Sequence, residues 1–258
     1  MAYYDGVIKA DAPVAWWPLT DAAGAGTLVD SSGGGHAATN HGLTLGETQS
    51  PIAGDTTAFN GGTTYAVSTY LPNGLTAASV EAWIYATSSP AIQYAVSSGV
   101  NTTDAGIGLY FQNATALCRI GNGTTLGNPS HANALVDNVW QYWCYTWDGA
   151  HVLSYLNGSQ LGTSVALTGT IPAAGSTYLV TQSTTTNTFQ GYVAQPAIYN
   201  KALTAAQVTA HYQAAINPPP SGAYASGVGL SPYWARGAAE NHFAHRARTA
   251  GSLGRRPW

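Results

Sequence analysis

Between Asp55 and Asn200 the chain alternates short β-rich runs with Gly, Asn and Asp: TTYAVSTY, SVEAWIYA, GIGLYFQN, ALCRIGNG, VWQYWCYTW, HVLSYL, STYLVT and GYVAQPAIY. Such spacing predicts an antiparallel all-β sandwich. The clearest piece runs from Val139 to Gly162, where VWQYWCYTW meets Asp148-Gly149, HVLSYL meets Asn157-Gly158, and SQLG follows. Asp-Gly and Asn-Gly suit hairpin turns with positive φ, so these runs predict a three-stranded meander. Trp140, Tyr142, Trp143, Tyr145 and Trp147 alternate across the first of them. That pattern predicts a central strand covered on both faces. One helix is expected from Thr204 to Ile216, with Thr204 as N-cap and Val208, Tyr212 and Ala215 along one side. Pro218-Pro219-Pro220 then cannot continue a helix and favours a stiff extended segment. The chain therefore divides into a sandwich domain over 1–217, a proline hinge at 218–220 and an extended tail over 221–258.

Charge sharpens that division. Only 7% of residues are charged, against roughly 25% in ordinary soluble domains. Residues 1–217 hold ten acids and three bases, a formal −7, while the remainder holds Glu240 and five arginines, a formal +4. The opening MAYYDGVIKADAPVAWWPL lacks the basic and apolar pattern of an export signal, and no apolar stretch has membrane-spanning length. Neither export nor membrane insertion is expected. Cys118 and Cys144 could pair, but nothing in their spacing fixes their distance; buried free thiols are the favoured reading, since unpaired Cys packs as a small hydrophobe.

A glycosidase needs two carboxylates about 5–10 Å apart across a sugar bond. The body offers Glu47, Glu81 and scattered Asp, with no acid at i+2 or i+4 from Glu81, so no enzyme is expected. Sugar binding asks less: an aromatic face beside amides and carboxylates. Tyr94, Asn101, Asp104, Tyr110 and Asn113 cluster in sequence and are the candidate glycan-binding residues. The same tyrosines also fit a core role. His36 and His41 lie in a Gly-rich stretch, where satisfying turn backbone is the simpler use. In the tail, Trp234, Arg236, Phe243, Arg246, Arg248, Arg255, Arg256 and Trp258 combine guanidinium forks with aromatic anchors, the composition of a protein interface. Nucleic acid is disfavoured: there is no Lys among them, and the acidic body repels phosphates.

In order along the chain, APVAWWPLTD, VDSSGGGHAAT, AFNGGTTYAVS, SVEAWIYA, VWQYWCYTWDG, LSYLNGSQLG and GYVAQPAIYNKALTAAQVTAHY resemble the laminin G-like, concanavalin A-like jelly rolls. The resemblance covers about residues 3–216 and implies two antiparallel sheets of about a dozen strands, a closing helix, and a role in binding or display. It also gives Glu81 a structural place. Relatives carry an Asp where this chain has Ala194, and that Asp, with the one matching Asp30, can hold calcium. Calcium prefers six to eight oxygens, so losing that ligand weakens the site considerably: no cofactor is expected, and Asp30 is the metal residue only if a calcium site is retained. Chains of this kind with a plain Met start and an unrelated extension resemble structural proteins of tailed bacteriophages. That resemblance implies a virion component in a multimeric assembly, docked on other virion proteins through its basic tail, with recognition of host-surface glycans as the alternative.

Overall fold

The computed structural model describes residues 3–219, apart from 62, 90–91, 100–104, 174 and 185–186. The chain opens with α1 (Tyr3–Ala10), β1 (Ala15–Trp16), β2 (Thr27–Leu28), β3 (Ala38–His41), β4 (Thr44–Glu47), β5 (Thr57–Gly61) and β6 (Tyr65–Ser68). It continues through β7 (Ala78–Ala86), β8 (Gln93–Ser98), β9 (Ala105–Gln112), β10 (Thr115–Asn122), β11 (Leu126–Gly127) and β12 (Ser130–His131). It closes with β13 (Trp140–Trp147), β14 (His151–Leu156), β15 (Ser159–Ala166), β16 (Thr177–Leu179), β17 (Gln190–Tyr199) and α2 (Ala205–Ile216).

These strands form two antiparallel sheets. One runs β15-β14-β13-β7-β17-β5-β4 with β1 added to β17; the other runs β11-β10-β9-β8-β16-β6-β3-β2 with β12 added to β10. Alternation along each strand sends one set of side chains between the sheets. Trp143, Tyr145 and Trp147 of β13 and Val80, Ala82 and Ile84 of β7 meet Ile107, Leu109 and Phe111 of β9 in this main core. The other face of the first sheet carries a second core. Trp83, Tyr142, Cys144 and Tyr155 pack there beneath Tyr4 and Ile8 of α1 and Val208, Ala214 and Ala215 of α2. The central position of β13 and the covering of both its faces follow from its aromatic alternation. Only Trp140, at its start, stays half-buried.

The β13–β15 meander forms as its turn residues dictate. Leu156 pairs with Ser159 around Asn157 (φ 51°) and Gly158 (φ 78°), which leaves the two-residue turn with both φ angles positive. Asn157 also accepts the Tyr142 amide at 2.9 Å, tying the turn to the neighbouring strand. Along β17 the register slips between Ala194 and Ala197, and Gln195 takes φ 57°. This bulge lets Pro196 sit inside a central strand without a lost ladder bond. It also frees the Gln195 side chain to accept Trp16 Nε1 at 2.8 Å and to donate to Asp55 at 3.3 Å.

Helix α2 begins where expected: the Gln207 amide donates to Thr204 Oγ1, and the Thr204 amide donates back to Gln207 Oε1. Helix α1 is an addition to the single helix the sequence predicts. It is only eight residues long and contains Gly6, so its own propensity is small and its burial of Tyr4 and Ile8 holds it. Cys118 and Cys144 are free and buried, the first in the main core and the second in the outer one. No helix among the described residues is long and apolar enough to cross a membrane.

Candidate functional site

The titratable side chains gather under the helices. His211 on α2 sits 2.9 Å from Glu81 Oε2 through Nδ1 and 3.0 Å from Asp11 Oδ2 through Nε2. Tyr199 donates to Glu81 Oε1 at 2.8 Å, and Tyr142 donates to Glu81 Oε2. Glu81 and His211 are fully buried. Burial opposes charge on His211, but the charge of Glu81 and the hydrogen bonds to Asp11 and Glu81 outweigh it and push its pKa up to about 9. The hydrogen bond from His211 holds Asp11 below the usual carboxylate range, against its partial burial. Burial and then the Glu81 charge raise both tyrosines. This cluster clamps α1, α2 and β7 together. Its central carboxylate has both oxygens engaged and no route to a substrate, so Glu81 cannot serve as one of two acids at a sugar bond.

The sequence-named glycan residues fare unevenly. Tyr94 and Tyr110 do come together, stacked at 4.7 Å and 12° on the outer face of the second sheet. They are 2% and 9% exposed, however, and form a small apolar cluster with Leu117. Asn128 donates to Tyr110 Oη at 3.2 Å, and Ile92 packs against the same cluster. Both rings are thus buried rather than presented as an open platform. Asn113 is exposed in the turn between β9 and β10, with φ 48°. Asn101 and Asp104 lie outside the described residues, as do all the named tail residues from Trp234 to Trp258. Asp30 accepts the amides of Trp16, Ser32 and His36 at 3.1, 2.9 and 2.8 Å, the work of a loop-organising carboxylate. Among the described residues no cluster of His, Cys, Asp and Glu could hold a metal.

A different set of side chains forms an open surface. Trp140 pairs with Tyr85, Tyr85 with Tyr192, and Tyr192 with Phe59, in one row across β13, β7, β17 and β5. Adjacent ring centroids lie 5.7, 5.7 and 4.9 Å apart. Their chain neighbours Ile84, Val193 and Ala58 point into the main core, which puts the row on the outer face. All four rings are half-buried. A polar rim lies just beyond the row. Ser88 donates to Gln190 at 2.6 Å, Gln190 lies two residues before Tyr192, and Ser89 donates to Asp137 at 2.5 Å. Asp137 is exposed. A smaller aromatic group lies on the other sheet, where His41 stacks on Tyr65 at 4.5 Å and Tyr178 follows at 6.3 Å.

Sequence reasoning singled out Trp140 only as a member of a buried strand, and it missed Phe59, Tyr85 and Tyr192. Period-two alternation could place Tyr85 with Trp83 and Trp140 with Tyr142 on one face. Joining them into a row requires the cross-strand register, which no single run contains.

A family model described as the concanavalin A-like lectin/glucanases superfamily matches residues 59–209. No curated protein matches the chain in sequence. Among solved structures, the botulinum neurotoxin serotype D binding domain is similar with a TM-score of 0.61 and 15% identity, over 79% of this chain and 52% of that one. The serotype D ligand-binding domain in complex with N-acetylneuraminic acid has a TM-score of 0.59 and 14% identity, over 81% and 52%. The binding domain of neurotoxin DC in complex with rat synaptotagmin II has a TM-score of 0.58 and 12% identity, over 80% and 52%. The chain spans about half the length of these structures, and at such identity the likeness is one of fold.

Proposed function

The chain belongs to the concanavalin A-like lectin/glucanases superfamily, and from that premise we propose that it is a non-catalytic binding module that recognises carbohydrate on the outer face of its first sheet. The observation that carries this reading is the half-exposed row Phe59–Tyr192–Tyr85–Trp140 with its rim of Ser88, Gln190 and Asp137. A sugar ring has an apolar C–H face and a polar edge. Aromatic rings receive the first, and hydroxyl, amide and carboxylate groups receive the second. The complete burial of Glu81 supports binding without cleavage. Two of the similar folds were solved in complex with N-acetylneuraminic acid and with rat synaptotagmin II, in keeping with a surface built for recognition.

Retention on immobilised polysaccharides tests this. The wild-type protein is retained by at least one of them, and Tyr85→Ala and Tyr192→Ala each weaken retention by about tenfold, the scale of one lost aromatic contact. Failure of every polysaccharide to retain the wild-type protein contradicts the reading.

A second reading concerns where such a module works. The resemblance to structural proteins of tailed bacteriophages suggests display on a virion, and the arginine-rich, aromatic composition of 221–258 fits docking on neighbouring virion proteins through that segment. Deleting residues 218–258 then abolishes incorporation into particles. Incorporation of the truncated chain at full occupancy removes the docking role.

A further inference from the structure

We infer that the carbohydrate taken by this surface is positively charged: a sugar with a free amino group, held as an ammonium by the Tyr85, Trp140 and Tyr192 rings and the Asp137 carboxylate. This deepens the carbohydrate-binding reading and rests on it. Three of the four rings form a compact group, with Tyr85 centred 5.7 Å from both Trp140 and Tyr192, and those two 6.5 Å apart. Their planes are inclined to one another by 58°, 82° and 53°. A sugar can rest on any one of them, but the three make no single flat platform. A compact group of this kind suits a compact charge, because an ammonium is attracted to a ring face whose centroid lies within about 6 Å.

The carboxylate stands at the same end of the sheet. There β7 ends at Ala86, next to Tyr85, β13 begins at Trp140, and β17 begins at Gln190, just before Tyr192. The Asn138 amide donates to Ala86 O at 2.7 Å, which ties the turn bearing Asp137 beside Tyr85. Asp137 is exposed, and among the described residues its hydrogen-bond partner is Ser89, at 2.5 Å. No base of the body answers that charge. Residues 1–217 contain three, Lys9, Arg119 and Lys201. Lys9 lies over the Trp16 ring at 5.7 Å, and Lys201 lies 3.4 Å from Asp11. Trp16 pairs with Ala197 and Lys201 follows Tyr199, so both bases are at the opposite end of β17 from Tyr192. Arg119 belongs to β10 in the other sheet. The open end of the first sheet thus combines aromatic faces with a carboxylate and no local cation. An ammonium is attracted by both, a neutral sugar gains neither attraction, and an acidic sugar meets repulsion with nothing to offset it.

The test is calorimetric titration of the full-length protein with tetramers of β-linked glucosamine and of its N-acetylated counterpart, which share a backbone and differ at the nitrogen. At mildly acidic pH, where the free amines are protonated, the glucosamine tetramer binds about tenfold more tightly. Asp137→Asn, a change at an exposed position, removes most of that advantage and leaves the N-acetylated ligand unaffected. Raising the pH until the amines are neutral does the same. A lysine tetrapeptide, with similar charge and no sugar, binds more weakly than the glucosamine tetramer. Equal or tighter binding of the N-acetylated tetramer, or an unchanged preference in Asp137→Asn, overturns this inference while leaving carbohydrate binding in place. Binding confined to neutral or acidic oligosaccharides overturns it in the same way. A lysine peptide that binds as tightly as glucosamine also overturns it, by reducing the effect to charge alone. No binding to any carbohydrate overturns both.

Discussion

The imidazole of His211 is held between two carboxylates that lie 200 and 130 residues away, Asp11 and Glu81. Removing the imidazole would strand Glu81 in the outer core, and breaking a buried pair of this kind costs about 3–5 kcal/mol. His211→Gln is expected to lose that much in denaturant unfolding. The sign of the pH dependence follows from linkage. The folded-state pKa of His211, about 9, exceeds its ordinary 6.5, so its contribution is complete below 6.5 and disappears as pH rises through about 9. Asp11 is lowered from 3.8, so its contribution is present above 3.8 and disappears as pH falls through its folded value. Melting temperature measured against pH should therefore be highest between about 4 and 6.5 and fall toward 9, and His211→Gln should flatten the alkaline fall. The sequence carried little of this cluster. Family resemblance gave Glu81 a structural place, but His211 and Asp11 stand too far apart along the chain for any local pattern to join them. The Tyr94–Tyr110 stack shows the converse: their nearness was legible, and their burial beside Leu117 and Asn128 was not.

At the scale of elements, patterns with a short period were the most readable. The meander from β13 to β15 follows from Asp148-Gly149, Asn157-Gly158 and the alternating aromatics, and α2 follows from its Thr204 cap and Pro-rich stop. Thr204→Ala removes one side of the capping box and should cost about 1 kcal/mol, seen as a melting temperature lower by roughly 2–4 °C in a domain of this size. Elements whose stability comes from outside escaped notice. Helix α1 has too few residues to hold itself and exists because Tyr4 and Ile8 reach the outer core. The edge strand β2 and its neighbour β3 are only two and four residues long, so neither composition nor alternation announced them. The bulge at Gln195 was equally silent, although Gly191-Tyr192-Val193-Ala194-Gln195-Pro196 contained its one visible sign, a proline within a strand pattern.

For the whole molecule, the sequence specified the layered sandwich because two sheets are the economical way to bury so many alternating apolar runs. It did not specify the functional surface, since four aromatics from β5, β7, β13 and β17 become a row only once the sheet order and register are set. The same sheet bears two environments side by side: helices seal Trp83 and Tyr142, while Tyr85 and Trp140, two residues along each strand, remain half-open. Binding on that open part leaves the buried Asp11–His211–Glu81 clamp to stability alone. The most direct measurement is mapping of amide and aromatic NMR shifts as soluble oligosaccharides are titrated into the full-length protein. Carbohydrate recognition on the outer aromatic row predicts saturable shifts concentrated at Phe59, Tyr85, Trp140, Gln190 and Tyr192. Shifts centred instead on His41, Tyr65 and Tyr178 of the opposite sheet, or no saturable shifts with any glycan, would contradict it.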